Sequence, residues 1–390
     1  MGTYIHLYLG RFQIDWGKNH GFYNHSNLFQ KFDLGKVKDY GYEKPLKRDG
    51  YSRPLRNTIC RLELLGYTME KVKAEYNIAK KEFVENAPTF KQFYDIIKNV
   101  DISSVTGKWS DSAENKYIPQ EIIDKFGYHE YRNGGSRPDY WDLETALDIF
   151  SPYAKLRLLA ENPKNLDIPI VYPFGELVKS GWAARKDFLS ELDQQQKFLI
   201  ITEGSSDTKI IKTAISCLRK DYEDFFQFID VDKGQHFDGT ESLYKFCKRL
   251  VSIGILNRVI FLYDNDAAGI SRYEDTKKLS LPKNIVAAKL PDIPAFRKFD
   301  TIGPSGERKE NINGKAASIE CYLDLSQSKP RVRWSSYIDS IGMYQGALED
   351  KTTYTKKFLS LIHKDINYDY SKIETLLDHL YKICVNIGSH

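Results

Sequence analysis

A chain of 390 residues, 41% hydrophobic and 28% charged, has the composition of a globular protein and the length for two or three domains. Its net charge of +4 gives an anionic partner only weak support, so the layout of charge matters more than its sum. Five dispersed cysteines without a C-x-x-C pair argue against a disulfide framework and a zinc ribbon, and no apolar run reaches the ~18 residues of a membrane span. The start, M-G-T-Y-I-H-L-Y-L-G, lacks the basic flank and long apolar stretch of a signal peptide, so the expected compartment is a reducing cytoplasm.

Residues 4–15 alternate in part between apolar and polar and predict one or two strands. A polar, aromatic stretch follows through Asn57. Val72, Tyr76, Ala79 and Phe83 stand at helical spacing behind Thr68, a suitable N-cap, and predict a helix over 68–85. A second helix is expected over 89–100. Residues 101–135 read as loop, with Gly134 and Gly135 as breakers. Another helical pattern runs over 142–161, interrupted at Pro152. Pro163, Pro169 and Pro173 break the pattern before a charged helix expected over 182–195.

From Lys197 the texture changes. Apolar runs at 197–202, 225–231, 258–263 and 285–290 alternate with helical patterns at 205–220 and 240–253 and a short one after Gly269. Such alternation predicts a mostly parallel sheet with helices on its faces. The expected organisation is an α+β N-terminal domain over 1–190, an α/β domain over 195–325, and a helical C-terminal extension over 326–390 behind a basic loop.

In an open α/β sheet, ligands gather at the carboxyl ends of the strands. Glu203 stands one residue past a strand in I-I-T-E-G-S-S-D, and Asp264 and Asp266 just past another in F-L-Y-D-N-D-A-A-G. Asp207 falls in the first turn of the following helix, and Gly204 lets the chain turn sharply. Like charges a few ångströms apart repel by about 4 kcal/mol at an effective dielectric near 20. Protons or a cation must therefore offset them, and hard oxygen ligands suit Mg²⁺ or Mn²⁺. An isolated D-x-D usually caps a helix; this one follows a buried strand and is matched by E-G-x-x-D on another.

E-G-S-S-D followed about 60 residues later by D-N-D-A-A-G resembles the toprim domain, a parallel-sheet, Rossmann-like metal-binding module of topoisomerases, bacterial primases and certain nucleases. The likeness spans about 195–325. The added Asp207, and Glu320 within G-K-A-A-S-I-E-C-Y-L, resemble the overcoming-lysogenization-defect (OLD) nuclease branch. That resemblance implies Glu203, Asp207, Asp264 and Asp266 as ligands, Glu320 as a further ligand or a group behind them, and Lys315 near the scissile phosphate. The N-terminal segment and the tail resemble the flanks of bacterial toprim proteins grouped with HEPN-associated defence genes. No histidine has an arginine four to seven residues before it, as a HEPN ribonuclease site would require, so any nuclease activity is expected in the toprim carboxylates.

The chain is short for a topoisomerase and lacks the zinc-binding cysteines of primases. A metal-dependent phosphodiesterase acting on DNA or RNA, with tRNA among the candidates, is the function expected. The competing class is a non-catalytic toprim module that binds nucleic acid or regulates a partner. The resemblance further implies an abortive-infection role in anti-phage defence under a separate ABC- or AAA-type ATPase subunit, since the chain contains no G-x-x-x-x-G-K-[ST]. A homo-oligomer is compatible with the sequence.

Nucleic-acid contacts are expected at Arg308 and Lys309 in a flexible loop, and at Lys329, Arg331, Arg333 and Trp334, where cations stand beside an aromatic ring. A solvated edge strand with Trp334 packed inward reads the latter segment equally well. The basic run from Lys44 to Arg61 is a second candidate. Asp230 and Asp232 form another D-x-D, and His236 lies in a loop near the acidic edge; both read more simply as ordinary polar residues.

Overall fold

The structure, a computed structural model, describes residues 2–41, 45–83, 87–111, 115–125, 136–189, 191–229, 239–326, 329–338, 342–361 and 363–388. Lys44, Gly134, Gly135, Asp230, Asp232 and His236 lie outside the described residues. The chain divides into two compact units, Met1–Glu191 and Leu192–Gly388.

The first unit is built on an antiparallel sheet of β1 (Tyr4–Leu9), β2 (Phe12–Lys18), β3 (Leu34–Asp39), β4 (Leu46–Pro54) and β5 (Pro169–Pro173), in the order β2-β1-β5-β4-β3. Alternation along β1 and β2 sends Ile5, Leu7, Leu9, Phe12 and Ile14 into the core. The helices that share that core include α1 (Met69–Phe83), α2 (Phe90–Ile97), α3 (Trp141–Leu147) and α4 (Pro152–Leu159). Thr89 caps α2 through a reciprocal bond with Gln92, and Pro152 opens α4 at a position that needs no N–H.

Three expectations are corrected. The polar stretch through Asn57 contains β3 and β4. Pro169 and Pro173, taken as breakers, bound the central strand of the sheet, where they occupy its two ends. The charged helix expected over 182–195 is reduced to Arg185–Phe188 and a 3-10 turn at Gln194–Gln196. Gly181 is left-handed, with φ +76°, and Ala184 is extended, so the chain enters that helix only at Arg185.

The second unit carries four parallel strands: β6 (Phe198–Thr202), β7 (Phe226–Phe228), β8 (Arg258–Tyr263) and β9 (Ile285–Lys289), in the order β9-β8-β6-β7. The crossovers are α5 (Ser205–Leu218), α6 (Thr240–Ile253) and α7 (Ala267–Lys277). Ile201, Val259, Phe261, Tyr263 and Ile285 of the sheet pack with Leu243 and Cys247 of α6, which is why these strands read as unbroken apolar runs.

A second sheet joins β10 (Phe299–Gly303), β11 (Gly306–Glu310), β12 (Val332–Ile338) and β13 (Met343–Leu348) in the order β11-β10-β12-β13. The basic loop expected at the head of the C-terminal extension is therefore a strand with an antiparallel neighbour. The expected helical part follows as α8 (Lys351–Leu359) and α9 (Ser371–Gly388). Both pack on α5, α9 through a buried stripe that includes Ile373, Leu377, Leu380 and Cys384.

Candidate active site

Strands β6 and β8 are parallel neighbours, and Thr202 stands opposite Leu262. Both acidic turns therefore leave the same edge of the sheet. Glu203 joins them directly: its Oε1 accepts the backbone N–H of Asp264 at 2.9 Å. Gly204 is extended and leads straight into α5, where Asp207 Oδ2 accepts the Gly204 N–H at 2.9 Å. Thr202 and Thr208 hydroxyls meet at 2.8 Å and brace this turn.

On the neighbouring turn, Asp266 caps α7, its Oδ1 accepting the Gly269 N–H at 2.7 Å. Asn265, between the two aspartates, is fully buried and turns elsewhere. Its amide donates to Asp292 at 2.9 Å, and its Oδ1 accepts from the Gly314 N–H at 3.0 Å and from Lys289 at 3.1 Å. These bonds tether the segment 314–317, which pairs with Asn265–Asp266. Lys315 thus lies beside Asp266, and the chain continues to Glu320, which is buried with its Oε2 accepting the Ser318 hydroxyl at 2.7 Å.

The five carboxylates behave as one electrostatic cluster. Burial raises Asp264 well above the usual carboxylate range, and Asp207, Glu203, Asp266 and Glu320 raise it further. Glu203 is pushed up to about 8 by burial and then by Asp266 and Asp207, against the Asp264 N–H that stabilises its charge. Asp207 rises to about 6 through burial and Glu320. Burial also raises Asp266. Lys351, the first residue of α8, draws Asp207 and Asp266 back down. Sequence reasoning missed this lysine. A cation in the first turn of a helix opposes the helix dipole, and that breach of local preference was the available signal.

The donors are hard oxygens. Among the described residues the groups acting on these carboxylates include no histidine, and burial pushes the nearby Cys321 thiol far above its ordinary value. In chemistry this set fits Mg²⁺ or Mn²⁺ and not a soft metal. In spacing it is open: among the described residues no three His, Cys, Asp or Glu side chains stand as a group that could hold an ion. Glu203, Asp207 and Asp266 each turn an oxygen onto a backbone N–H.

The residues expected to contact nucleic acid divide into two sets. Arg308, Trp334 and Lys315 line a cavity of about 320 Å³ together with Glu310 and Tyr344. The Trp334 indole donates to Glu310 Oε2 at 2.6 Å, so the ring is fixed on the sheet. Arg331 and Arg333 instead pair with Glu349 at 3.1 and 2.8 Å, and Arg331 also with Glu307 at 2.6 Å. Lys309 stands 3.7 Å from Asp300, and Lys329 is exposed. Exposed pairs of this kind are worth about 0–1 kcal/mol and exchange readily for phosphates.

The family model described as HEPN/Toprim N-terminal domain 1 covers residues 1–196, just over half the chain, and stops before β6. No curated protein and no solved structure matches the chain. The carboxylate cluster lies outside the matched stretch and rests on its own geometry. Among the described residues no helix is long and apolar enough to cross a membrane.

Proposed function

The chain belongs to the HEPN/Toprim N-terminal domain family, and from that premise we propose that it is a divalent-metal-dependent nuclease whose second unit is a toprim domain. One observation carries the reading. Glu203, Asp207, Asp264 and Asp266 leave the same carboxyl edge of a parallel sheet on neighbouring turns, and burial together with mutual repulsion, Glu320 included, raises their carboxyls, although their spacing is open.

Glu203, Asp207, Asp264 and Asp266 would hold Mg²⁺ or Mn²⁺, with Glu320 behind them. When bound, the cation lowers the pKa of water and neutralises charge on the phosphoryl and leaving oxygens. The reaction is hydrolysis: a water oxygen bonds to phosphorus, one P–O ester bond breaks, and a proton ends on the leaving oxygen. Lys315, bridged to Asp266, and Lys351, which acts on Asp207 and Asp266, would orient a phosphodiester by charge. Arg308 and Trp334 share a cavity with Lys315 and would contact the strand there. Substrate is DNA or RNA, with tRNA included. The role as effector of a bacterial anti-phage system under a separate ATPase subunit rests on the sequence resemblance.

Metal binding is testable without turnover. Occupancy at 100 times the dissociation constant stabilises a fold by about 2.7 kcal/mol. Millimolar Mn²⁺ should therefore raise the melting temperature of the wild-type chain by several degrees and leave an Asp207→Asn/Asp266→Asn variant unmoved. Equal shifts in both would remove the carboxylates from the metal site.

A further inference from the structure

The first unit's sheet has two unlike faces. Its inner face is aliphatic core, with Ile5, Leu7, Leu9 and Ile14 no more than 2% exposed. Its outer face along β1 and β2 is aromatic where a solvated sheet face is ordinarily polar. Two cross-strand rungs make it, Tyr4 opposite Lys18 and His6 opposite Trp16, while Tyr8, opposite Gln13, is buried against Val37, Val171 and Tyr40.

The rings of β1 are stacked along the strand. Tyr4 and His6 have centroids 6.2 Å apart and planes 17° from parallel; His6 and Tyr8 stand at 5.3 Å and 28°. Trp16 sits 6.1 Å from Tyr4. Burial holds the His6 imidazole down to about 4, so at neutral pH it is an uncharged flat ring. Tyr4 and Trp16 remain 49% and 57% exposed, and Trp109, beside the same face, 67%. Two cavities of about 500 and 1030 Å³ share His6, Gln13, Trp109 and Tyr140 in their walls and so form one groove over the rings.

Cations border this groove, whose wall also carries the Glu144 carboxylate. Lys18 lies over the Tyr4 ring at 5.1 Å, Arg11 over Tyr40 at 5.4 Å, and Arg137 over Trp141 at 4.6 Å. Arg11 donates to the Thr106 carbonyl. Among the described residues none of the three forms an ion pair. Exposed flat rings, Tyr4, Trp16 and Trp109, bordered by cations, match the two demands of an unpaired strand: faces for the bases and charge for the phosphates.

We propose that this outer face of the first unit is a stacking platform for single-stranded nucleic acid, separate from the carboxylate cluster and independent of any cleavage there. Each stacked base contributes about 1–3 kcal/mol, so losing two rings should weaken binding at least tenfold. The test uses the intact chain in EDTA, with fluorescence anisotropy of labelled twelve-nucleotide oligouridylate and oligothymidylate. The wild type should bind one or both, and a Tyr4→Ala/Trp16→Ala variant should bind at least tenfold more weakly with an unchanged melting temperature, since both rings are exposed. A strand carrying 4-thiouridine should crosslink within the peptide 4–18. Equal affinity of the two proteins, crosslinking confined to the second unit, or no binding by the wild type would each overturn the platform, including the case in which a peptide fills the groove instead. Strand binding without metal-dependent cleavage would leave the platform standing and count against the nuclease reading alone.

Discussion

Replacing Asp264 by Asn should abolish cleavage and, at the same time, make the metal-free protein more stable. Asp264 is the carboxylate that all four of the others press upon, and burial adds to its cost. A carboxyl whose folded pKa lies above its unfolded value must take up a proton or remain as a buried charge, so folding is disfavoured above the unfolded pKa. The stability lost in this way returns as pH falls through its raised folded value toward the ordinary carboxylate range near 4. Asparagine keeps the shape and removes the charge. We expect a gain of about 1–3 kcal/mol in metal-free stability at pH 8, shrinking toward pH 4. Loss of a group behind a metal ligand already lowers activity by about 10- to 100-fold, so loss of a ligand should exceed that. Urea unfolding in EDTA at the two pH values, beside an activity assay, checks both halves. A variant that is less stable than wild type in EDTA would show that Asp264 is a structural residue.

The second large effect is expected at Gly269. This residue lies in the first turn of α7 and donates its N–H to Asp266. A Cβ built there would stand 2.4 Å from the Asp264 carbonyl oxygen and 3.0 Å from Glu203 Oε1. The first contact is with backbone and cannot swing away. Gly269→Ala must displace either the β8 turn or α7, at about 2–3 kcal/mol for overpacking a closed site. The shift falls on Asp264, Asp266 and Glu203 together. We therefore expect a lowered melting temperature and a loss of cleavage comparable to that of the ligand variants. Gly314→Ala is the informative comparison. Its backbone is left-handed, at φ +72°, but no atom lies within 4 Å of the Cβ position. It should be destabilised by strain of about 1 kcal/mol while keeping the carboxylates in place. Equal activity of Gly269→Ala and wild type would mean that the two acidic turns tolerate separation.

Much of this site was legible because parallel strands are buried on both faces. R-V-I-F-L-Y has no polar interruption, so the strand, its end and the first charge beyond it, Asp264, could be placed to the residue. The pairing of Glu203 with Asp264 followed from the rule that ligands gather at the carboxyl edge, and the hydrogen bond between them makes it concrete. What the sequence concealed lies where local pattern and tertiary setting disagree. The strand Pro169–Pro173 is central because its prolines sit at its ends and leave Ile170–Tyr172 to pair. In β12 the alternation of Val332 and Trp334 is lost at Ser335–Ser336, where the register slips by one, so a strand looked like a basic loop. Lys351 was invisible because its neighbours in space, Asp207 and Asp266, are distant in sequence.

The alternation along β1 shows a further limit of pattern reading. Tyr4, His6 and Tyr8 predict a strand whichever way they face, and only the packed sheet reveals that the aliphatic set points inward. Of the aromatic set, Tyr8 is covered by Tyr40 and its neighbours, and Tyr4 is left exposed beside Trp16.

The most direct test of the carboxylate cluster is cleavage by the purified chain. Wild type and Asp264→Asn would be incubated with plasmid DNA and with total tRNA, in Mg²⁺, in Mn²⁺ and in EDTA, and with the crude lysate of its source added in a parallel series to supply any activating partner. The account predicts cutting of at least one substrate by wild type in a divalent cation, none in EDTA and none by Asp264→Asn. Cutting by Asp264→Asn at the wild-type rate, or by wild type in EDTA, would contradict it.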